Sequence, residues 1–182
     1  GDIIKRHAAF LGDEQLGAQR AELKQRHGEY YTAFARLTDQ GVSSAEQARW
    51  VQRLSEEQDN FRAALRWLLQ GRAVELALQL TDALWGLWLI LGYIPEGKRW
   101  LETALARSDE ALGQGMVTAA HLEARANVLV TLGYSHFHIG DHRAAIGRFE
   151  QAYELHRELS NEPGQIDARI AYNEVDMVLL FN

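Results

Sequence analysis

Apolar residues recur with a period of 3.6 along nearly the whole chain, and alternation with a period of 2 is hard to find in any window of six. That pattern, with only two prolines in 182 residues, points to long helices and an all-α fold. Residues 2–11 read as a short helix or the tail of a preceding segment. Residues 16–38 read as a helix turning Leu23, His27, Tyr30, Tyr31, Phe34 and Leu37 to one side, ended by Gly41. Ser43 and Ser44 offer N-caps for a single long helix over 45–69. There Trp50, Leu54, Phe61, Leu65 and Leu68 form one apolar stripe. Further helices are predicted over 73–91, 95–107, 116–139, 142–159 and 164–181, separated by turns at Gly92, Gly113 to Gly115, Gly140-Asp141 and Asn161 to Gly164.

The helix over 73–91 is apolar on most sides, which predicts burial on most sides. Its run from Ala83 to Ile94 is about half the ~20 residues needed to cross a bilayer. Ile3-Ile4 is followed at once by Lys5, Arg6 and His7, with no apolar stretch of the secretory kind, so a cytoplasmic location is expected. With 47% apolar and 24% charged residues, the chain belongs with globular rather than disordered sequences. It has no cysteine, which excludes disulfides, thiolate zinc sites and a cysteine nucleophile. The net charge of −6 comes with no basic stripe able to track phosphates, so no direct nucleic-acid contact is expected, and no membrane contact.

An internal repeat sits on this helical pattern. At an offset of 48 residues, Leu132 matches Leu84, Gly140 matches Gly92, Ala145 matches Gly97, Phe149 matches Leu101 and Ala152 matches Ala104. Small residues recur where two backbones approach, and large ones where the next hairpin docks. One hairpin cannot bury both its faces, so antiparallel hairpins are expected to stack into an α-solenoid. One departure is Trp85, which stands where the small Gly133 stands in the later unit.

Residues 126–159 resemble a tetratricopeptide repeat at Leu132-Gly133, Gly140-Asp141, Ala145, Phe149 and Ala152. His136 replaces a usual aromatic, and Arg157 a common proline. A wider resemblance rests on three strings: Trp50-Val51-x-x-Leu54-x-x-Glu57-x-Asp59-Asn60-Phe61-Arg62-Ala63-Ala64-Leu65-x-Trp67, then Gly97-x-x-Trp100-Leu101-Glu102-x-Ala104-Leu105, and Arg26-His27-x-x-Tyr30-Tyr31. These resemble helices of the large bacterial signal-transduction ATPases with numerous domains, often LuxR-type transcriptional regulators. The resemblance implies a right-handed, tetratricopeptide-like solenoid over 16–182, cut at its C-terminal end, with residues 1–15 as a tail or lead-in helix. It also implies attached ATPase and DNA-binding modules elsewhere in a parent chain.

Chemistry is sparse. There is no G-x-x-x-x-G-K-[ST], no G-x-S-x-G and no H-E-x-x-H string. His136, His138 and His142 cluster, but His136 and His138 diverge by about 200° around a helix, and His138 and His142 straddle a turn. They read as one core-edge and two surface histidines, with no metal. Asp59 and Asn60 read as ties to a neighbouring element rather than as an acid and its helper. The tryptophans at 50, 67, 85, 88 and 100 read as core rather than as an aromatic cage.

A solenoid presents the first helix of each hairpin on its concave side. The candidate binding residues there are Gln79, Asp82, Asn127, Tyr134, His138, Asn173 and Asp176. The expected function is a sensor or scaffold arm that binds a protein, a peptide or a small effector, with no cofactor and no catalysis. Alternatives are a free-standing tetratricopeptide adaptor and, remotely, a small metal-dependent enzyme using His136 and His138. Val175, Val178 and Leu179 are expected to lack a covering helix. Sedimentation at high protein concentration should therefore detect a homodimer; a clean monomer would contradict this.

Overall fold

In the computed structural model the backbone is described for residues 2–36, 44–71 and 73–180, and the side chains for 17–36, 49–71, 73–177 and 179. Among these residues there are eight helices and no strand. They are α1 Asp2–Arg36, α2 Ser44–Glu56, α3 Gln58–Gln70, α4 Val74–Ile90, α5 Ile94–Gly113, α6 Ala119–His138, α7 His142–Glu158 and α8 Glu162–Leu180.

The later helices follow the periodicity to within a few residues, except that α5 runs on through Gly113. Two differences lie earlier. Residues 2–36 form one continuous helix, and its buried face is Gly28, Tyr31, Thr32, Phe34 and Ala35. Leu23, His27 and Tyr30, expected on that face, are exposed instead. Leu37, Gly41 and Ser43 lie outside the described residues. The long helix expected over 45–69 is broken at Glu57. Its φ of −94° and ψ of 7° tighten the chain, and its carbonyl accepts from the Asn60 N–H at 3.0 Å. No glycine or proline marks the break; the Glu57 side chain is drawn to Tyr31 on α1 instead.

From α5 onward, successive helices pack antiparallel, as nested pairs of contacts show. Between α5 and α6, Leu105 pairs with Arg125 outside Ser108 with His121. Between α6 and α7, Gly133 meets Phe149 outside His136 with Asp141. Between α7 and α8, Tyr153 meets Arg169 outside His156 with Gly164. Helix α4 packs on both α5 and α6, and α6 also touches α8, while α1 lies against α3 and α4. One core runs from α1 through Ala152 on α7 and Ala168 on α8, and Ala145, Phe149, Ala171 and Val175 form a second cluster between α7 and α8. Val175 is therefore covered, at 1% exposure, contrary to expectation. The reason is that α8 turns it inward with Ala168 and Ala171, one to two turns apart on the same face. Leu179 is exposed, and the Val178 side chain is outside the described set.

The 48-residue repeat has a packing basis. Leu84, Leu101, Ala104, Leu132, Ala145, Phe149 and Ala152 are all buried. The two units exchange large and small residues. In the first hairpin Trp88 rests on Gly97, where an added Cβ would lie 2.6 Å from the indole. In the second, Phe149 enters at Gly133, where an added Cβ would lie 2.3 Å from the ring. Trp85 can thus replace the small residue because the close approach has moved to the other helix of the pair.

The turns repeat as well. Gly92 and Gly140 take φ of 74° and 81°, and the next N–H bonds back across the helix end, Tyr93 to the Trp88 carbonyl and Asp141 to that of His136. Ser160 holds the same left-handed position at φ 55°, with Asn161 N–H bonding the His156 carbonyl at 2.9 Å. Asp141 and Asn161 then cap the following helices through Ala144 and Gly164 N–H. Urea denaturation should show Ser160→Gly more stable by about 1 kcal/mol, since glycine removes the left-handed penalty. Gly133→Ala should be less stable by about 1–3 kcal/mol, the cost of overpacking against Phe149.

Candidate functional site

The three strings that carry the sequence resemblance meet at one junction. Tyr31 on α1 donates to Glu57 Oε2 at 2.8 Å, and Asn60 donates to the same oxygen at 2.6 Å. One turn on, Arg62 on α3 grips Glu96 on α5 with two bonds, Nε to Oε1 at 2.7 Å and Nη2 to Oε2 at 2.8 Å. Gln58 and Asp59 steady the guanidinium, and Trp100 Nε1 donates to Glu96. Asp59 and Asn60 thus act as ties through Arg62 and Glu57. Burial first, and then the Glu57 carboxylate, push the Tyr31 hydroxyl up to about 12. Hydrogen bonds from Asn60 and Tyr31 lower Glu57, and those from Arg62 lower Glu96. Phe34 packs face to face with Phe61 and beside Trp50, and the Arg53 guanidinium covers Phe34 and Trp50. This junction holds helices together.

The seven residues proposed for a binding face lie on α4, α6 and α8. Asp82 on α4 accepts from the Thr131 hydroxyl on α6, and Trp85 lies 6.1 Å from the His138 ring across the same seam. Gln79 bonds Glu75 within α4. Asn127 is exposed. Tyr134 is half-buried edge-on to Phe149, and burial raises its hydroxyl's pKa. Asp176 is half-buried on α8. Asn173 is exposed on α8 and lines a cleft between α7 and α8 that also includes Phe149, the ring Tyr134 packs on.

That cleft, of about 530 Å³, is lined by Phe149, Glu150, Tyr153, Arg169, Tyr172 and Asn173, among others. The Arg169 guanidinium sits 5.5 Å above the Tyr153 ring. Two tyrosines, a cation and an amide suit recognition of a planar or peptide-like group. Sequence reasoning missed Tyr153 because it looked only to the first helix of each hairpin. The available signal was its place beside Ala152, the small residue that marks close helix approach.

Histidines are distributed along the joints. His136 is buried, with Nδ1 3.4 Å from Asp141, while His138 is exposed. His121 Nε2 lies 2.8 Å from Ser108 Oγ, and His156 packs on Gly164. Among the described residues no three His, Asp or Glu side chains gather as a metal site would require. Trp88 is buried and the other four tryptophans pack against the core, so none forms a cage.

Over 105 residues, 57% of its length, the chain is 32% identical to proteins of Mycobacterium tuberculosis and Mycobacterium bovis, each named a putative HTH-type transcriptional regulator. The chain spans 11% of the length of these relatives. No family model matches it, and no solved structure does. The similarity associates this helical chain with transcriptional regulators.

Two predictions follow from the geometry. A double-mutant cycle on Arg62→Ala and Glu96→Ala should give a coupling of about 1.5–3 kcal/mol, the range for charge-assisted bonds at a partly buried site. The second concerns pH. Burial holds His121, His136 and His156 below the ordinary 6.5. Below that value the unfolded chain binds protons that the folded chain does not, so stability rises with pH in this window. The urea midpoint should be level above about pH 6.5 and fall as pH drops below it. Glu57 and Glu96 act in a separate, lower window, favouring the fold above the ordinary carboxylate value and losing that effect in acid. A midpoint unchanged between neutral and mildly acidic pH would contradict the histidine assignment.

Proposed function

We propose that this chain is a partner-binding sensor or scaffold arm of a larger, cytoplasmic transcriptional regulator, with no chemistry of its own. In this reading the hairpins form a right-handed, tetratricopeptide-like solenoid, and ATPase and DNA-binding modules lie elsewhere in the parent. The similarity to named regulators over 57% of the chain carries the reading. The burial of Leu84 with Leu132, Leu101 with Phe149 and Ala104 with Ala152, each pair 48 residues apart, supports its repeat character. Binding would use the α7–α8 cleft, where Tyr153, Tyr172, Arg169 and Asn173 stand together on rigid helices. A partner bound there would bias the regulator by its preference for one of the parent's states.

The test is made in the intact regulator. Arg169 and Asn173 are exposed, so Arg169→Glu with Asn173→Ala should fold normally. It is expected to shift transcriptional output about tenfold, equivalent to ~1.4 kcal/mol of lost partner binding. Unchanged output from a folded variant would refute the cleft, and turnover of any substrate by the purified chain would refute a purely binding role.

A further inference from the structure

A second surface lies at the opposite end of the molecule, between the exposed stripes of α1 and α3. Its floor is the contact of Gly28 with Leu68, where the two backbones come so close that a Cβ on Gly28 would lie 2.8 Å from a leucine methyl. Above that floor a groove of about 520 Å³ opens between Leu23, Lys24 and His27 on α1 and Ala63, Arg66, Trp67 and Gln70 on α3. Leu23 is 65% exposed, an unusual state for a leucine in a chain that buries leucines at nearly every other joint. Trp67 is only half-buried beside it.

The charges in this groove are of one sign. Lys24 and Arg66 line opposite walls, and among the described residues no carboxylate lines either wall. Arg20 stands one turn before Lys24 on α1 and is exposed. Neighbouring Arg26 is held by Glu22, whereas among the described residues Arg20, Lys24 and Arg66 have no ion pair. A groove that carries Lys24 and Arg66, without ion pairs among the described residues, on either side of the apolar Leu23 and Trp67 has a definite complement. That complement carries carboxylates on two edges and bulky apolar side chains between them, which is the face of an acidic amphipathic helix.

We propose that the α1–α3 groove docks an acidic amphipathic helix of a partner protein, with its apolar residues on Leu23 and Trp67 and its carboxylates on Lys24 and Arg66. The partner is a peptide rather than a nucleic acid. The two cations that line the groove are too few to track a phosphate backbone. The surface adds to the binding-arm reading without depending on the α7–α8 cleft.

The test uses the full chain and a fluorescein-labelled synthetic helix of leucine and glutamate, with leucines at i, i+3, i+4 and i+7. A companion peptide carries lysine in place of every glutamate. Anisotropy should show saturable binding of the glutamate peptide only, weakened as salt is raised. Lys24→Glu/Arg66→Glu should weaken it at least about tenfold with far-UV circular dichroism unchanged, since both residues are exposed. Arg169→Glu/Asn173→Ala should leave this affinity unchanged, which separates failure here from failure of the cleft. Equal binding by the charge-reversed variant, or no binding of the glutamate peptide, would overturn the proposal. So would capture of a single-stranded oligonucleotide in preference to the peptide. Self-association of the chain that the same charge reversal abolishes would also overturn it, by assigning the groove to a second copy.

Discussion

At four helix joints a bulky side chain rests where a neighbouring glycine carries no Cβ: Leu68 on Gly28, Trp88 on Gly97, Phe149 on Gly133 and His156 on Gly164. Each contact brings two helix axes closer than side chains on both would allow, and the rest of the packing is arranged around that distance. Leu65, Leu78, Leu101 and Leu132 fill the space that remains and are excluded from water. Truncating a fully buried ring such as Phe149 to alanine would cost about 3–5 kcal/mol, comparable with the net stability of a small domain. The joints are also directional. Which helix of a pair supplies the glycine differs between the two units, and at the offset of 48 residues the two contacts lie about one turn apart along the hairpin.

The polar bonds do a different task. Arg62 and Glu96 tie α3 to α5, and Tyr31 with Glu57 ties α1 to the break between α2 and α3. These bonds add modestly to stability, but they set the registers of helices that apolar contact alone would allow to slide. The regulator-like strings are residues of this kind. Their order along the chain reflects a junction of three helices. Both candidate binding surfaces lie on either side of this rigid middle, one between α7 and α8 and one between α1 and α3.

Much of the structure was legible because helices announce themselves locally. Glycine and proline positions, and the spacing of leucines, placed α4 and α6 to α8 and the start of α5 within a few residues, and the repeat offset paired Leu84 with Leu132 and Leu101 with Phe149 correctly as buried equivalents. The inward face of α1 was misjudged because aromatic residues occur on both of its sides. Tyr30 and Tyr31 differ only in which one finds Glu57 and Phe61. The site was less legible than the fold. Asp82 looked like a free polar residue on an inner face, yet Thr131, 49 positions away, bonds it.

By itself, the sequence determined the helical class, the hairpin repeat, the turn positions and the absence of cysteine chemistry, because each depends on periods and residue types within a few turns of chain. The tertiary structure alone decided the break at Glu57, the burial of Val175, and the meeting of Tyr153 with Arg169 and of Trp67 with Lys24 across helices. Those depend on how one helix rotates against another. That rotation is set by close contacts such as Phe149 on Gly133, between residues whose partnership no local pattern encodes.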